Sequence, residues 1–177
     1  MIVIVGESAS GKSTLQNMFI QNNPKFSKVV TYTTRPARTG EKDGVDYHFV
    51  SDEEFNRMVA NGEFIEHARY RDWNYGTAKI DCTEDNVVAV LTPSGLRSLK
   101  RYGIDPISVY LKVDRRSRMI KIISRGDNID EAYRRNLSDV GQFDGIENEV
   151  DYVIDNSEYQ MDKYDVLNCL EVIINGI

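Results

Sequence analysis

Met1-Ile2-Val3-Ile4-Val5-Gly6-Glu7-Ser8-Ala9-Ser10-Gly11-Lys12-Ser13-Thr14 decides the fold of this chain. Its first five residues form an unbroken apolar run of strand-favouring side chains, as a short buried strand requires. Gly6 to Ser13 then fits the phosphate-loop pattern G-x-x-x-x-G-K-[ST] at each fixed position. Beyond it the period changes. Leu15, Met18 and Phe19 stand at i, i+3 and i+4, on one face of a helix. Strand, glycine-rich turn and helix form the context in which this motif carries meaning.

The composition of the loop follows from what it would hold. A helix N-terminus offers unpaired N–H groups and a partial positive charge, both suited to an anion. Gly6 and Gly11 let the backbone turn tightly and approach phosphate oxygens where a Cβ would intrude. Lys12 can set an ammonium against the terminal phosphates, and the Ser13 hydroxyl can ligate Mg²⁺. The loop therefore implies a nucleoside triphosphate such as ATP, contacted by Gly6, Ser8, Ala9, Ser10, Gly11, Lys12, Ser13 and Thr14.

At 177 residues the chain is expected to be one domain with a core of its own. Hydrophobic residues at 41% and charged ones at 28% match a soluble globular protein. No apolar run is long enough to span a bilayer, and no leader-like segment precedes the first strand, so the expected location is cytoplasmic. Cys82 and Cys169 are far apart and lack metal-ligand spacing with His48 and His67, so they read as reduced thiols and the histidines as structural. A net charge of −6 argues against nucleic acid as a partner. The attraction for an anionic ligand must then be local, and the arginines do cluster. No signal for an oligomeric state is present.

Further strands are expected at 28–32, 47–50, 87–91, 107–111 and 152–154, from their short apolar runs. Ser51 and Glu54 make a capping box for a helix carrying Phe55, Met58 and Val59. Helices follow at 93–102 and at 114–124, the latter with Met119, Ile122 and Ile123 inward. A polar helix is expected over 129–149, and a last one from about 160 that buries Met161, Tyr164, Leu167, Leu170 and Ile174. Short apolar strands alternating with helices make an α/β parallel sheet. Two polar, arginine-bearing segments, 33–80 and 125–140, do not fit the alternation. They are expected outside a core of 1–32, 81–124 and 141–177, overhanging the carboxyl ends of the strands.

Thr33-Thr34-Arg35-Pro36-Ala37-Arg38-Thr39-Gly40-Glu41, followed by Asp43-Gly44-Val45-Asp46-Tyr47-His48-Phe49-Val50-Ser51, resembles the monophosphate-binding signature of guanylate kinases. Gly62-Glu63-Phe64-Ile65-Glu66-His67-Ala68 and Asn74-Tyr75-Gly76-Thr77 are similar to the family's next signature, at the expected distance. With the phosphate loop and Arg125-Gly126, the resemblance covers most of the chain. It implies a phosphate-loop kinase core with helices on both faces, a small monophosphate-binding insertion (33–80) and a lid (125–140). It also implies ATP-dependent phosphoryl transfer to GMP, assisted by Mg²⁺.

By position, the resemblance assigns Arg35, Arg38, Tyr47 and Tyr75 to the phosphate of GMP, and Thr31, Glu66 and Thr77 to the surroundings of its base. Arginine forks pair with phosphate oxygens through parallel charged hydrogen bonds. The N1–H and 2-amino group of guanine form a donor pair that the Glu66 carboxylate can accept. Lys12, Arg38 and, in the lid, Arg125 with Arg135 (Arg134 being its neighbour and alternative) would surround the transferred group. The remaining arginines nearby, Arg115, Arg116 and Arg118, read as solvated helix-face charges.

Two positions depart from the family pattern. Ala37 precedes Arg38 where a proline is usual, and Thr92 stands where the strand ordinarily runs into an aspartate. A carboxylate there would help hold Mg²⁺ through water or touch the monophosphate. Besides a guanylate kinase, the pattern therefore leaves a related kinase with another acceptor such as dGMP, or a weakened or non-catalytic binding module.

Overall fold

The Ile2–Val5 run forms strand β1, buried along its whole length. A computed structural model describes residues 1–70, 72–124, 126 and 129–176, excepting the side chains of Tyr70, Glu131, Ala132 and Arg135. Chain order gives α1 (Lys12–Asn22), β2 (Ser27–Lys28), β3 (Tyr32–Thr33), β4 (His48–Phe49), α2 (Asp52–Ala60), β5 (Phe64–Tyr70) and β6 (Trp73–Ala78). Then come β7 (Val87–Val90), α3 (Pro93–Arg101), β8 (Ile107–Lys112), α4 (Arg115–Ser124), α5 (Ile129–Asp139), β9 (Tyr152–Asp155) and α6 (Lys163–Asn175).

β1 is central in a five-stranded sheet of order β2-β7-β1-β8-β9, in which each pairing is parallel. Side chains alternate across a strand, so β1 feeds two cores. Ile2 and Ile4 pack with Leu15 and Phe19 of α1 and with Leu167 and Leu170 of α6. Val3 and Val5 face the other way, onto Leu96 and Leu99 of α3 and Ile146. This is the expected α/β parallel sheet with helices on both faces. Phe19 is 1% exposed, and truncating it to alanine would cost about 3–5 kcal/mol. β1 also marks the switch of strand order, since its neighbours β7 and β8 follow it from opposite sides. Ligands of open α/β sheets bind beyond the carboxyl ends at such a point.

A second sheet of order β4-β3-β6-β5 holds the chain from Tyr32 to Ala78. α2 covers it through Phe55 and Met58, packed on Phe64 and Ala78. The Ser51 hydroxyl caps α2 by accepting the Glu54 N–H at 3.1 Å, as its capping box requires.

Several elements differ from the pattern reading. The strand expected over 28–32 is two strands. Ser27 and Lys28 pair with β7 in the large sheet, whereas Tyr32 and Thr33 pair with β4 and β6 in the small one. The apolar run straddles the crossing between sheets. The polar helix stops at Asp139, and Gly141 and Gly145 take left-handed turns (φ +79° and +76°) before a 3-10 turn at Ile146–Asn148. In α4, Arg118 and Ile122 are buried while Ile123 is 51% exposed. In α6, Tyr164 lies on the open face, and Asp162 starts the helix with a capping box to Asp165.

Candidate active site

Gly6 follows β1 into the phosphate loop. A Cβ there would lie 2.8 Å from the Leu111 carbonyl oxygen and 2.8 Å from Ser10 Oγ, so only glycine fits. Gly11 caps α1 at φ +103°, and Ala9 is also left-handed at φ +66°. No side chain caps α1, so its first-turn N–H groups are left for an anion. Ser10 Oγ is buried without a protein partner among the described residues. Ser13 and Thr14 are exposed in the first turn.

Lys12 Nζ donates to the Glu7 carbonyl oxygen at 2.7 Å. Burial pulls its pKa down to about 8, against the raising influence of the Asp139 and Glu7 carboxylates. Beside the loop opens a cleft of about 420 Å³, lined by Ala9, Thr14, Met18, Asn156, Tyr159 and Met161 among others. It is large enough for a nucleoside and mostly apolar, with polar groups at its edge. The Tyr159 hydroxyl donates to the Ala9 carbonyl, which ties this wall to the loop.

The small sheet carries the arginines. Arg35 follows β3 and is 6% exposed. Its Nη2 donates to both Glu41 carboxylate oxygens at 2.8 and 2.9 Å, and its Nη1 to the Pro36 carbonyl oxygen at 2.8 Å. The Glu41 bond raises the Arg35 pKa, and Arg35 in turn holds the Glu41 carboxyl down. Glu41 also accepts the Arg38 N–H at 2.7 Å, which fixes the backbone between the two arginines. The Tyr47 ring lies 5.3 Å from the Arg35 guanidinium and 6.0 Å from the Tyr75 ring. Arg35, Tyr47 and Tyr75 thus stand together, with Arg38 exposed at the rim. Glu41 lies within the signature, yet the sequence alone marks no role for it. A carboxylate three residues from an arginine in a polar loop looks like a surface charge.

Glu66 and Thr77 are register partners across β5 and β6. Thr31 is half-buried one residue before β3, and its carbonyl accepts the His48 N–H. Burial raises the Glu66 pKa, and hydrogen bonds from Thr92 oppose the rise. The Thr92 hydroxyl donates to Glu66 Oε2 at 2.5 Å. Thr92 emerges from β7, and Ile4 of β1 pairs with Val90 of β7, so Thr92 and Gly6 leave adjacent strands side by side. Neighbouring strands lie about 4.8 Å apart. The Glu66 carboxylate of the small sheet therefore reaches the same edge as the phosphate loop.

The guanylate kinase family model matches residues 1–172. This chain belongs to the guanylate kinase family. The guanylate kinase of Symbiobacterium thermophilum is 33% identical over 164 residues, covering 89% of this chain and 78% of that one. That of Alkalilimnicola ehrlichii is 30% identical over 166 residues, covering 90% and 81%. The crystal structure of guanylate kinase from Anaplasma phagocytophilum superposes with a TM-score of 0.68 at 24% identity, covering 99% of this chain and 84% of that one, and shares its fold.

Against this guanylate kinase frame, two sequence-based assignments change. Arg118 is not a solvated charge: it is 4% exposed. Its Nε donates to the Val113 carbonyl oxygen, and its Nη1 to the Ser8 carbonyl oxygen and Asn136 Oδ1, at 3.1, 3.1 and 3.2 Å. The Asp139 and Glu7 carboxylates stand at 3.5 and 3.7 Å. A buried arginine persists only when so paired. Thr92, in turn, meets the Glu66 carboxylate and caps α3 by accepting the Gly95 N–H at 3.1 Å. The departure at this position falls against the expected base reader. In the segment expected to be a lid, Arg125 and the side chain of Arg135 lie outside the described residues, and Arg134 is exposed on α5.

Proposed function

We propose that this chain transfers the γ-phosphoryl group of ATP to GMP, giving ADP and GDP. The observation that supports this reading is the Thr92–Glu66 hydrogen bond, which holds the Glu66 carboxylate at the strand edge from which the phosphate loop springs.

In this reading the phosphate loop holds the donor, and the cleft beside it takes the adenosine. Lys12 faces the terminal phosphates, and their negative charge lifts its pKa so that the ammonium stays charged. Arg35 and Arg38, with the Tyr47 and Tyr75 hydroxyls, hold the acceptor phosphate. Glu66 accepts from N1–H and the 2-amino group of guanine, a donor pair that adenine lacks. A site built around such a bond rejects the analogue lacking it by about 10⁴-fold or more. Thr31 and Thr77 complete the walls around the base. Arg125 and Arg135 would close over the group in transfer, where charge clamping and exclusion of water supply most of the rate.

The Ser13 hydroxyl would hold Mg²⁺ together with the nucleotide's own oxygens. The described residues present no group of three or more His, Cys, Asp or Glu placed to hold a metal ion by themselves. That suits an ion bound chiefly by substrate phosphates and water. When bound, Mg²⁺ neutralises charge on the β- and γ-phosphates. We assign 1–32, 81–124 and 141–177 to the core, 33–80 to the acceptor insertion and 125–140 to the lid. Cys82 and Cys169 are free thiols, which suits a reducing compartment such as the cytoplasm.

The test is ADP formation by the purified protein with ATP, Mg²⁺ and a panel of GMP, dGMP, AMP, CMP and UMP. Turnover with GMP far above AMP, CMP and UMP is expected. No turnover with any of them would overturn the assignment.

A further inference from the structure

Thr92 Oγ1 has two neighbours whose chemistry fixes its proton. The Gly95 N–H can only donate, and it reaches Oγ1 at 3.1 Å. An ionised carboxylate can only accept, and Glu66 Oε2 lies at 2.5 Å. The hydroxyl hydrogen therefore points at Glu66. Gly95 adds a second restraint: a Cβ there would lie 2.5 Å from Oε2 and 2.6 Å from Cδ of Glu66. Gly95 is a helical residue of α3 with no positive φ, so nothing in its backbone calls for glycine. Its missing side chain is the space in which the carboxylate sits.

We propose that Thr92 and Gly95 are positioning residues for base recognition: the Thr92 hydroxyl holds Glu66 Oε2, Gly95 makes room for it, and Oε1 is presented to the base. The inference rests on Glu66 being the base reader. It gives Thr92 a duty that an aspartate could not perform in the same way, because an ionised carboxylate has no proton to donate. It also makes the first turn of α3 part of acceptor selection.

The test is titration calorimetry of GMP and, separately, of ATP against the intact protein and four variants. Thr92→Val removes the donor at nearly constant volume and should weaken GMP binding about tenfold, the scale of one charge-assisted hydrogen bond. Thr92→Ser keeps the hydroxyl and should recover most of that loss. Gly95→Ala leaves the cap and the donor in place, favours the helix, and should still weaken GMP binding at least as much, by displacing the carboxylate. ATP affinity should move in none of them. Wild-type GMP affinity in both Thr92→Val and Gly95→Ala would overturn the proposal. So would failure of serine to recover binding, or an equal loss for ATP. The fourth variant, Glu66→Gln, separates the two levels. If it binds GMP normally, the base-reader assignment itself is wrong. If it loses GMP while Thr92→Val and Gly95→Ala do not, only the present proposal fails.

Discussion

The Ser8 backbone N–H donates to Asp139 at 2.8 Å, so the last residue of α5 is bonded directly to the phosphate loop. Arg118 of α4 grips the carbonyl of the same loop residue at 3.1 Å. α4 and α5, consecutive in the chain, thereby hold both backbone polar groups of Ser8. Asp139 is also the main influence keeping the Lys12 ammonium charged against burial.

Asp139→Asn keeps an acceptor for Ser8 and removes the charge. Lys12 then loses its largest upward influence, and its pKa in the free protein falls below about 8. Since kcat/KM reports the free enzyme, its decline for ATP at alkaline pH should move to lower pH. A pH profile that does not move would show that the carboxylate acts only as a hydrogen-bond acceptor.

Lys12→Met should abolish phosphoryl transfer and leave GMP binding measurable by calorimetry. It should also make the ligand-free protein more stable at pH 7. The folded pKa of Lys12 is lowered from 10.5 to about 8, so between those values the unfolded chain binds more protons and stability rises with pH. Below that window the buried ammonium is a standing cost. Its removal should raise the thermal midpoint by about 2–4 °C, as one kcal/mol does in a domain of this size.

Glu41→Gln removes the fork that orients Arg35 and weakens the acceptor of the Arg38 N–H. KM for GMP should rise about tenfold with KM for ATP unchanged, the loss expected of one charge-assisted pair. An equal rise for both substrates in steady-state assays would place Glu41 outside the acceptor site.

Thr92→Asp keeps a cap for α3 and sets a second carboxylate against Glu66. Burial already holds the Glu66 pKa above its ordinary value. Two adjacent carboxylates titrate as a coupled pair, with one proton retained to higher pH. The pH below which GMP binding fails should move upward in this variant, and titrations across the acid range would show it.

Ala9→Gly should stabilise the protein. Ala9 holds φ +66°, which costs an L-residue roughly 1–2 kcal/mol. Against the greater freedom of glycine in the unfolded chain, a net gain of about 0.5 kcal/mol is expected in a denaturant melt.

The phosphate loop and the arginine signature were legible because their parts are close in sequence and their residue types have few other uses in that order. Glu66 stands out in the sequence for the same reason, within the second signature, and its reading of the base is the role proposed above. The Ser8–Asp139 and Arg118–Ser8 contacts were not, since they join positions 131 and 110 residues apart and nothing local marks them. Arg118 looked solvated because helix spacing says which residues share a face, not what that face meets. The break in the strand expected over 28–32 is a matter of pairing partners, which apolar composition does not encode. Thr92 could be noticed as a departure, but its consequence needed the position of Glu66, on a different sheet.

Glu66 belongs to the small sheet by sequence and is held by α3, which packs against β5 on one side and β1 on the other. Its aim is thus set by the tilt of one sheet against the other. A hinge movement of the small sheet would turn the carboxylate away from its anchor, so under the proposed role of Glu66 reading the base and setting that tilt become a single event. Under that proposal a monophosphate carrying the wrong base leaves the tilt unset, and discrimination falls at docking, before any ATP is consumed.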